Sequence, residues 1–95
     1  ARAAGGLRAA GLVPGDRLML RLGNSATFPI AFLGAIRAGL IPMPTAAGLT
    51  EAEITKLAEA LPPSAILAEP GIALPSVSAP VMTPDVLDVV RLAPN

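Results

Sequence analysis

The chain has 95 residues and a mass of 9.5 kDa, enough for one domain at most. Seven basic and seven acidic residues cancel, 15% of the chain is charged, 53% is hydrophobic, and mean hydropathy is +0.64. That balance excludes a basic nucleic-acid binder and a disordered solvating chain; the absence of Cys and His excludes disulfides, thiolate zinc clusters and histidine-based triads.

Residues Arg2 to Ala10 read as the end of a helix, with Ala3, Leu7 and Ala10 on one face and Gly11 placed just past it. Gly5 and Gly6 weaken it by roughly 1 kcal/mol each relative to Ala. Val13-Pro14-Gly15-Asp16 has Pro and Gly at the two central positions of a type II turn, and Asp16 is read as a turn residue. Arg17 to Leu22 alternates as a strand, with Leu18, Leu20 and Leu22 on one face and Arg17, Met19 and Arg21 on the other. Asn24 or Ser25 can cap the next helix, Ala26 to Ala38, which carries Pro29 in its first turn and ends at Gly39. This helix is apolar nearly all round, so burial on more than one side is expected, with Phe28, Phe32, Leu33 and Ile36 in the core.

Leu40 to Met43 reads as a short strand that Pro42 confines to an edge or a bulge. A loop over Pro44 to Gly48 leads into the best-specified helix, Glu51 to Leu61. Thr50 and Glu53 form a T-x-x-E capping box, and Leu49 and Ile54 form a hydrophobic staple. Ile54, Leu57, Ala58 and Leu61 share one face. Pro62-Pro63 stops the helix, and Ala65 to Ala68 reads as a strand. A proline-rich loop with a strand at Val81-Met82 follows, then a helix capped by Thr83, with Pro84, Asp85 and Asp88 near its start. Strands alternating with helices specify an α/β fold, a parallel sheet of βαβ units joined by right-handed crossovers with helices packed on it.

The inventory of reactive groups is thin. Gly23-Asn24-Ser25 follows a strand and opens a helix, the right place for an anion, but lacks G-x-G-x-x-G and a phosphate lysine, so a capped turn is the plain reading. Glu51, Glu53, Asp85 and Asp88 sit at helix starts, where the macrodipole favours negative charge, and read as caps rather than as general acids or bases. Lys56 is the single lysine and is expected to pair with Glu53. Arg21 on a strand and Arg37 on a buried helix each need a partner, expected among carboxylates or carbonyls elsewhere in a larger domain.

The composition also bears on completeness. A domain this small buries only about 60% of its unfolded surface and should carry more charge outside. The apolar surplus, the start at Ala1 without Met and the end at Asn95 after a Pro suit an excerpt whose partner is the rest of the same polypeptide. The longest uncharged runs, Leu22–Ile36 and Pro70–Pro84, have 15 residues each, short of the roughly 20 that span a bilayer. No apolar h-region follows Arg2 and Arg8, so no signal peptide is expected, and a cytoplasmic location is.

The order of the motifs resembles the N-terminal region of the adenylate-forming superfamily of acyl-CoA synthetases, aryl-CoA ligases, luciferases and peptide-synthetase adenylation domains. The matching strings are L-R-A-A-G-L-V-P-G-D-R-L-M-L-R-L-G-N-S from Leu7 to Ser25 and F-P-I-A-F-L-G-A-I-R-A-G-L-I-P-M-P-T from Phe28 to Thr45. L-T-E-A-E-I from Leu49 and S-A-I-L-A-E from Ser64 complete them. The resemblance covers residues 7–71; residues 72–95 match no motif.

The resemblance implies that residues 1–95 are a fragment of the N-terminal domain of an enzyme that activates a carboxylic acid with Mg-ATP as an acyl-adenylate and passes it to coenzyme A. It implies no catalytic residue and no metal ligand in this chain, because the family's phosphate loop ending P-K-G, its later acidic motifs and its C-terminal lysine lie downstream of such a segment. It also implies that the loop before the L-T-x-x-E helix runs close to the CoA nucleotide, which makes Ala46, Ala47 and Gly48 the candidate cofactor contacts. Where the family usually carries Asn-Pro, this chain has Ala46-Ala47. Two other readings stand beside this one: an adenylation domain feeding a carrier protein, and a non-catalytic α/β interaction module.

Overall fold

A computed structural model describes residues 2–23 and 26–88. The elements run α1 (Arg2–Ala9), β1 (Arg17–Arg21), α2 (Thr27–Arg37), β2 (Ile41–Pro44), α3 (Glu51–Ala60), β3 (Ala65–Ala68), β4 (Val81–Met82) and a 3-10 turn at Pro84–Asp88. All strand pairs are parallel, in the order β2-β1-β3-β4. The expected α/β alternation is present, and β2, with Pro42, is an edge strand as expected. The candidate caps Asn24 and Ser25, and any helix beyond Asp88, lie outside the described residues; what is described after β4 is a single 3-10 turn.

The period-two pattern of β1 divides the core in two. Leu18, Leu20 and Leu22 join Leu7, Ala31, Ala35, Ala65 and Leu67 in the cluster under α1 and α2. Met19 joins Met43, Ile54, Ala58, Ile66 and Ala68 under α3. The central strands β1 and β3 are therefore covered on both faces, as parallel strands require. Each fully buried Leu or Ile contributes roughly 1.5–3 kcal/mol of transfer free energy.

Both helices on the first face end in the same way. Leu12 N–H donates to Leu7 O at 3.3 Å and Gly11 N–H to Arg8 O at 3.0 Å; Leu40 N–H donates to Ala35 O at 2.9 Å and Gly39 N–H to Ile36 O at 3.0 Å. These are Schellman pairs, and they place Gly11 and Gly39 at φ of 98° and 79°, where only glycine rests without strain. Between them the type II turn forms as expected. Gly15 has φ 93°, Asp16 N–H donates to Val13 O at 3.1 Å, and Asp16 Oδ2 accepts from Val13 N–H at 3.0 Å.

Two expectations for α2 are overturned. Its buried face consists of Ala31, Gly34 and Ala35, with Ala38 just beyond its end, while Ile30, Leu33 and Ile36 are 52%, 59% and 52% exposed. Phe28 and Phe32 stack at 6.2 Å and are half-buried, so only part of the expected aromatic and aliphatic stripe enters the core. Arg37 is exposed rather than buried; its carbonyl accepts from Arg8 Nη2 at 3.0 Å. The physical reason is close helix packing. A Cβ on Gly34 would come within 2.5 Å of Ala3 Cβ and 3.2 Å of the Ala3 carbonyl carbon. A Cβ on Gly6 would run into the Val86 carbonyl. Gly6, which weakens α1 as an isolated helix, lets it seat against the 3-10 turn, and Gly34 of α2 lets the two helices meet.

The capping box of α3 is complete. Thr50 Oγ1 accepts from Glu53 N–H at 3.2 Å and Glu53 Oε1 accepts from Thr50 N–H at 2.9 Å. Glu53 thus turns back to Thr50, and the expected pair with exposed Lys56 does not form. Leu61 ends up 45% exposed just past the helix, whereas Ile54 and Ala58 are buried.

Gly34→Ala should lower stability by roughly 1–3 kcal/mol through overpacking against the α1 backbone, whereas Gly48→Ala, whose Cβ meets nothing within 4 Å, should be close to neutral. Denaturant midpoints of the two variants in the polypeptide that carries this segment check the contrast. Hydrogen bonds from Thr50, its backbone N–H first and its side chain second, hold the Glu53 carboxyl below the usual glutamate range. A lowered folded-state pKa contributes stability that is present above the ordinary glutamate value and is lost as pH falls through the lowered one. The protection factors of the first-turn amides of α3, measured by hydrogen exchange against the intrinsic rate at each pH, should therefore fall on acidification, and Glu53→Ala should flatten that dependence.

Candidate functional site

In open parallel sheets the loops beyond the strands' C-terminal ends hold ligands, at the point where strand order reverses. Here the chain passes from β1 through α2 to β2 on one side and returns through α3 to β3 on the other. The reversal lies between β1 and β3. At that crevice Glu69 N–H donates to Arg21 O at 3.1 Å, and Glu69 Oε1 accepts from Gly23 N–H at 2.6 Å. The short charge-assisted bond fastens the start of the β1–α2 loop to the end of β3.

Beside it, the last residue of β1 sends its side chain to the α3 face. Arg21 is fully buried. Its Nε donates to Ala73 O at 2.9 Å, its Nη1 to Thr45 Oγ1 at 2.9 Å and Ala46 O at 2.7 Å, and its Nη2 to Leu49 O at 3.3 Å. Thr45 Oγ1 in turn donates to Leu20 O at 2.6 Å. The expectation that Arg21 finds its partners elsewhere in a larger domain is overturned, since they are neutral oxygens of this chain's own β2–α3 and β3–β4 loops. Burial pushes the guanidinium pKa down from its ordinary value, and the group stays charged because that value is so high.

The candidate contacts Ala46, Ala47 and Gly48 occupy a tight turn, closed by Leu49 N–H donating to Ala46 O at 3.2 Å. All three are exposed. The carbonyls of Ala46 and Leu49 face inward to Arg21, and the tip offers small uncharged side chains with open space beyond Gly48. Such a surface can lie against a ring or an amide of a nucleotide cofactor, and it brings no charge of its own to a phosphate. Among the described residues no three His, Cys, Asp or Glu side chains gather to hold a metal ion. No helix among them is long and apolar enough to cross a membrane.

Sequence reasoning missed Thr45 and Glu69. The signal for Glu69 is a carboxylate directly after an apolar central strand; for Thr45 it is a lone hydroxyl following Pro-Met-Pro at a strand end.

Fold and loop arrangement define a doubly wound α/β unit whose strand C-termini present a pinned loop cluster. Residues 1–93 match the family profile of the AMP-binding enzyme, and the chain belongs to that family. It is 42% identical over 53 residues to the salicyl-AMP ligase / salicyl-S-ArCP synthetase of Mycobacterium tuberculosis, a match spanning 56% of this chain and 9% of that protein. Among solved structures, a benzoate CoA ligase from Burkholderia xenovorans superposes with a TM-score of 0.80 at 26% identity, over 93% of this chain and 21% of that one. Holo-AB3403, a four-domain nonribosomal peptide synthetase bound to AMP and glycine, superposes with a TM-score of 0.78 at 29% identity, over 95% of this chain and 7% of that one. The chain thus spans a small part of the length of the proteins it matches.

Removing the Glu69 carboxylate in Glu69→Ala should raise the exchange rate of the Gly23 amide about tenfold or more, the worth of a charge-assisted hydrogen bond. Amide hydrogen exchange resolved at Gly23 measures it, and an unchanged rate would show that the β1–α2 junction is held by something else.

Proposed function

We propose that residues 1–95 form part of the N-terminal domain of an ATP-dependent, cytoplasmic acid–CoA ligase. The whole enzyme would activate a carboxylic acid with Mg-ATP, release pyrophosphate, and transfer the acyl group from the adenylate to coenzyme A. The observation that carries this reading is the match of residues 1–93 to the AMP-binding enzyme family, on a sheet whose strand ends gather one pinned set of loops. Catalysis of this kind rests on neutralising phosphate charge and positioning the carboxylate. The contribution assigned to this segment is positional: Ala46, Ala47 and Gly48 form a wall against the nucleotide end of the acceptor, and no catalytic residue is assigned here.

A second reading, in which the acyl group goes to a carrier-protein thiol, is favoured by the name salicyl-S-ArCP synthetase carried by one relative and by the nonribosomal peptide synthetase among the structural matches. The first test is ATP–pyrophosphate exchange by the full polypeptide over a panel of acids. The panel starts with salicylate and benzoate, the acids named in two relatives. Acid-dependent exchange followed by thioester formation with CoA is the expected result. Thioester formation only on a phosphopantetheinylated carrier protein supports the second reading, and no exchange with any acid overturns both. Residues 1–95 alone should give no exchange.

A further inference from the structure

Arg21 spends a buried positive charge on four neutral oxygens, two of them the backbone carbonyls that bracket the Ala46–Leu49 turn. Packing alone does not call for this. A Leu or Met would fill the end of β1 without the desolvation of a cation. What the guanidinium adds is geometry. Its planar fork fixes Ala46 O at 2.7 Å, Leu49 O at 3.3 Å and Thr45 Oγ1 at 2.9 Å, and its Nε reaches across to Ala73 O at 2.9 Å. Thr45 ties the same fork to Leu20 O at 2.6 Å, so the turn is referenced to β1 through both a side chain and the strand backbone. The outer surface of the turn is left exposed and unhindered.

We infer that Arg21 is a positioning residue for the thiol-acceptor step. It holds the β2–α3 turn in the one conformation whose exposed tip receives the nucleotide or pantetheine end of the acceptor, with Thr45 as its relay. The inference rests on the proposed ligase reading and adds to it the residue that sets acceptor affinity. Arg21 touches no substrate; it acts through the backbone of residues 45–49. Its loss should therefore act on acceptor binding and spare the first half-reaction, because the hydrogen bonds of the Arg21 side chain are confined to these loops.

The test uses the full polypeptide. ATP–pyrophosphate exchange reports acid activation, and thioester formation is titrated with CoA and, separately, with a phosphopantetheinylated carrier protein. Arg21→Met should raise the KM for the working acceptor about tenfold, leaving exchange and the kcat of transfer within about twofold. Arg21→Lys, which keeps the charge but not the fork, should recover part of the loss. Thr45→Val removes one partner at constant shape. It should raise the same KM about threefold and add nothing in the Arg21→Met background, which keeps the inference testable if Arg21→Met does not fold.

An unchanged acceptor KM in Thr45→Val and Arg21→Met, with transfer intact, overturns this inference alone. Equal losses in exchange and transfer overturn it too, by showing a merely structural role. A parent enzyme that exchanges pyrophosphate but acylates neither thiol overturns the transfer reading together with this inference.

Discussion

The C-terminal edge of the sheet depends on one buried guanidinium. Placing a cation inside a protein costs several kcal/mol even after relaxation. Four hydrogen bonds to a charged donor, at roughly 1.5–3 kcal/mol each, are enough to offset that. The margin explains why Arg21 is tolerated without a carboxylate among its partners, which come from two loops, β2–α3 and β3–β4, that would otherwise have little in common. The turn at 46–49 and the loop after β3 contain little regular structure, and carbonyls buried there would be unsatisfied without a donor. One arginine donates to three of them, Ala73 O, Leu49 O and Ala46 O, the last of which also accepts from Leu49 N–H, and in doing so sets where the exposed tip of the turn stands.

On the opposite face the controlling quantity is distance between backbones. α1, α2 and the 3-10 turn approach so closely that Gly6 and Gly34 have no room for a side chain. Small residues therefore face inward on α2 and its larger aliphatic residues face outward, the inverse of the usual amphipathic arrangement. The apolar surplus in the composition is located by this inversion. It lies in Ile30, Leu33 and Ile36, and in Ile41 and Val81 on the two edge strands, each about half exposed. These are the surfaces through which a βαβ unit is extended by more sheet and more helix.

Where local chemistry decides the outcome, the sequence was legible. The T-x-x-E box, the Pro-Gly turn, the glycines at 11 and 39 and the strand Ala65–Ala68 each carry their own signal, and the structure places them where that signal does. Alternation in β1 was equally informative, because a one-residue shift would exchange the two faces. The failures have a common cause in tertiary contact. Hydropathy put Leu33 and Ile36 inside, since it registers how apolar a helix is but not that an Ala-Gly-Ala stripe lets a neighbour come closer. Arg37 followed its helix in the wrong direction for the same reason. Arg21 was correctly singled out as a cation needing partners, yet three of its four partners are backbone carbonyls 25 to 52 residues away, which leave no trace in residue type, and the fourth is the Thr45 hydroxyl. Glu69 and Thr45 went unassigned because their roles exist only once β1, β2 and β3 lie side by side.

A parallel sheet orders its loops at one end, and reaction chemistry can be distributed over segments far apart in sequence. A segment of such a sheet can be indispensable without holding a nucleophile, an acid or a metal, because proximity and orientation can themselves account for several kcal/mol of a barrier. Among the described residues, Arg21, Thr45 and Glu69 at the C-terminal edge each hydrogen-bond to backbone of this chain. Their chemistry is spent on holding loops. The surface those loops offer, Ala46, Ala47 and Gly48, is chemically plain, so any selectivity it exerts must come from shape. Shape selectivity of this kind is only as good as the rigidity behind it. That links the charge buried at the end of β1 to the shape of the turn above it.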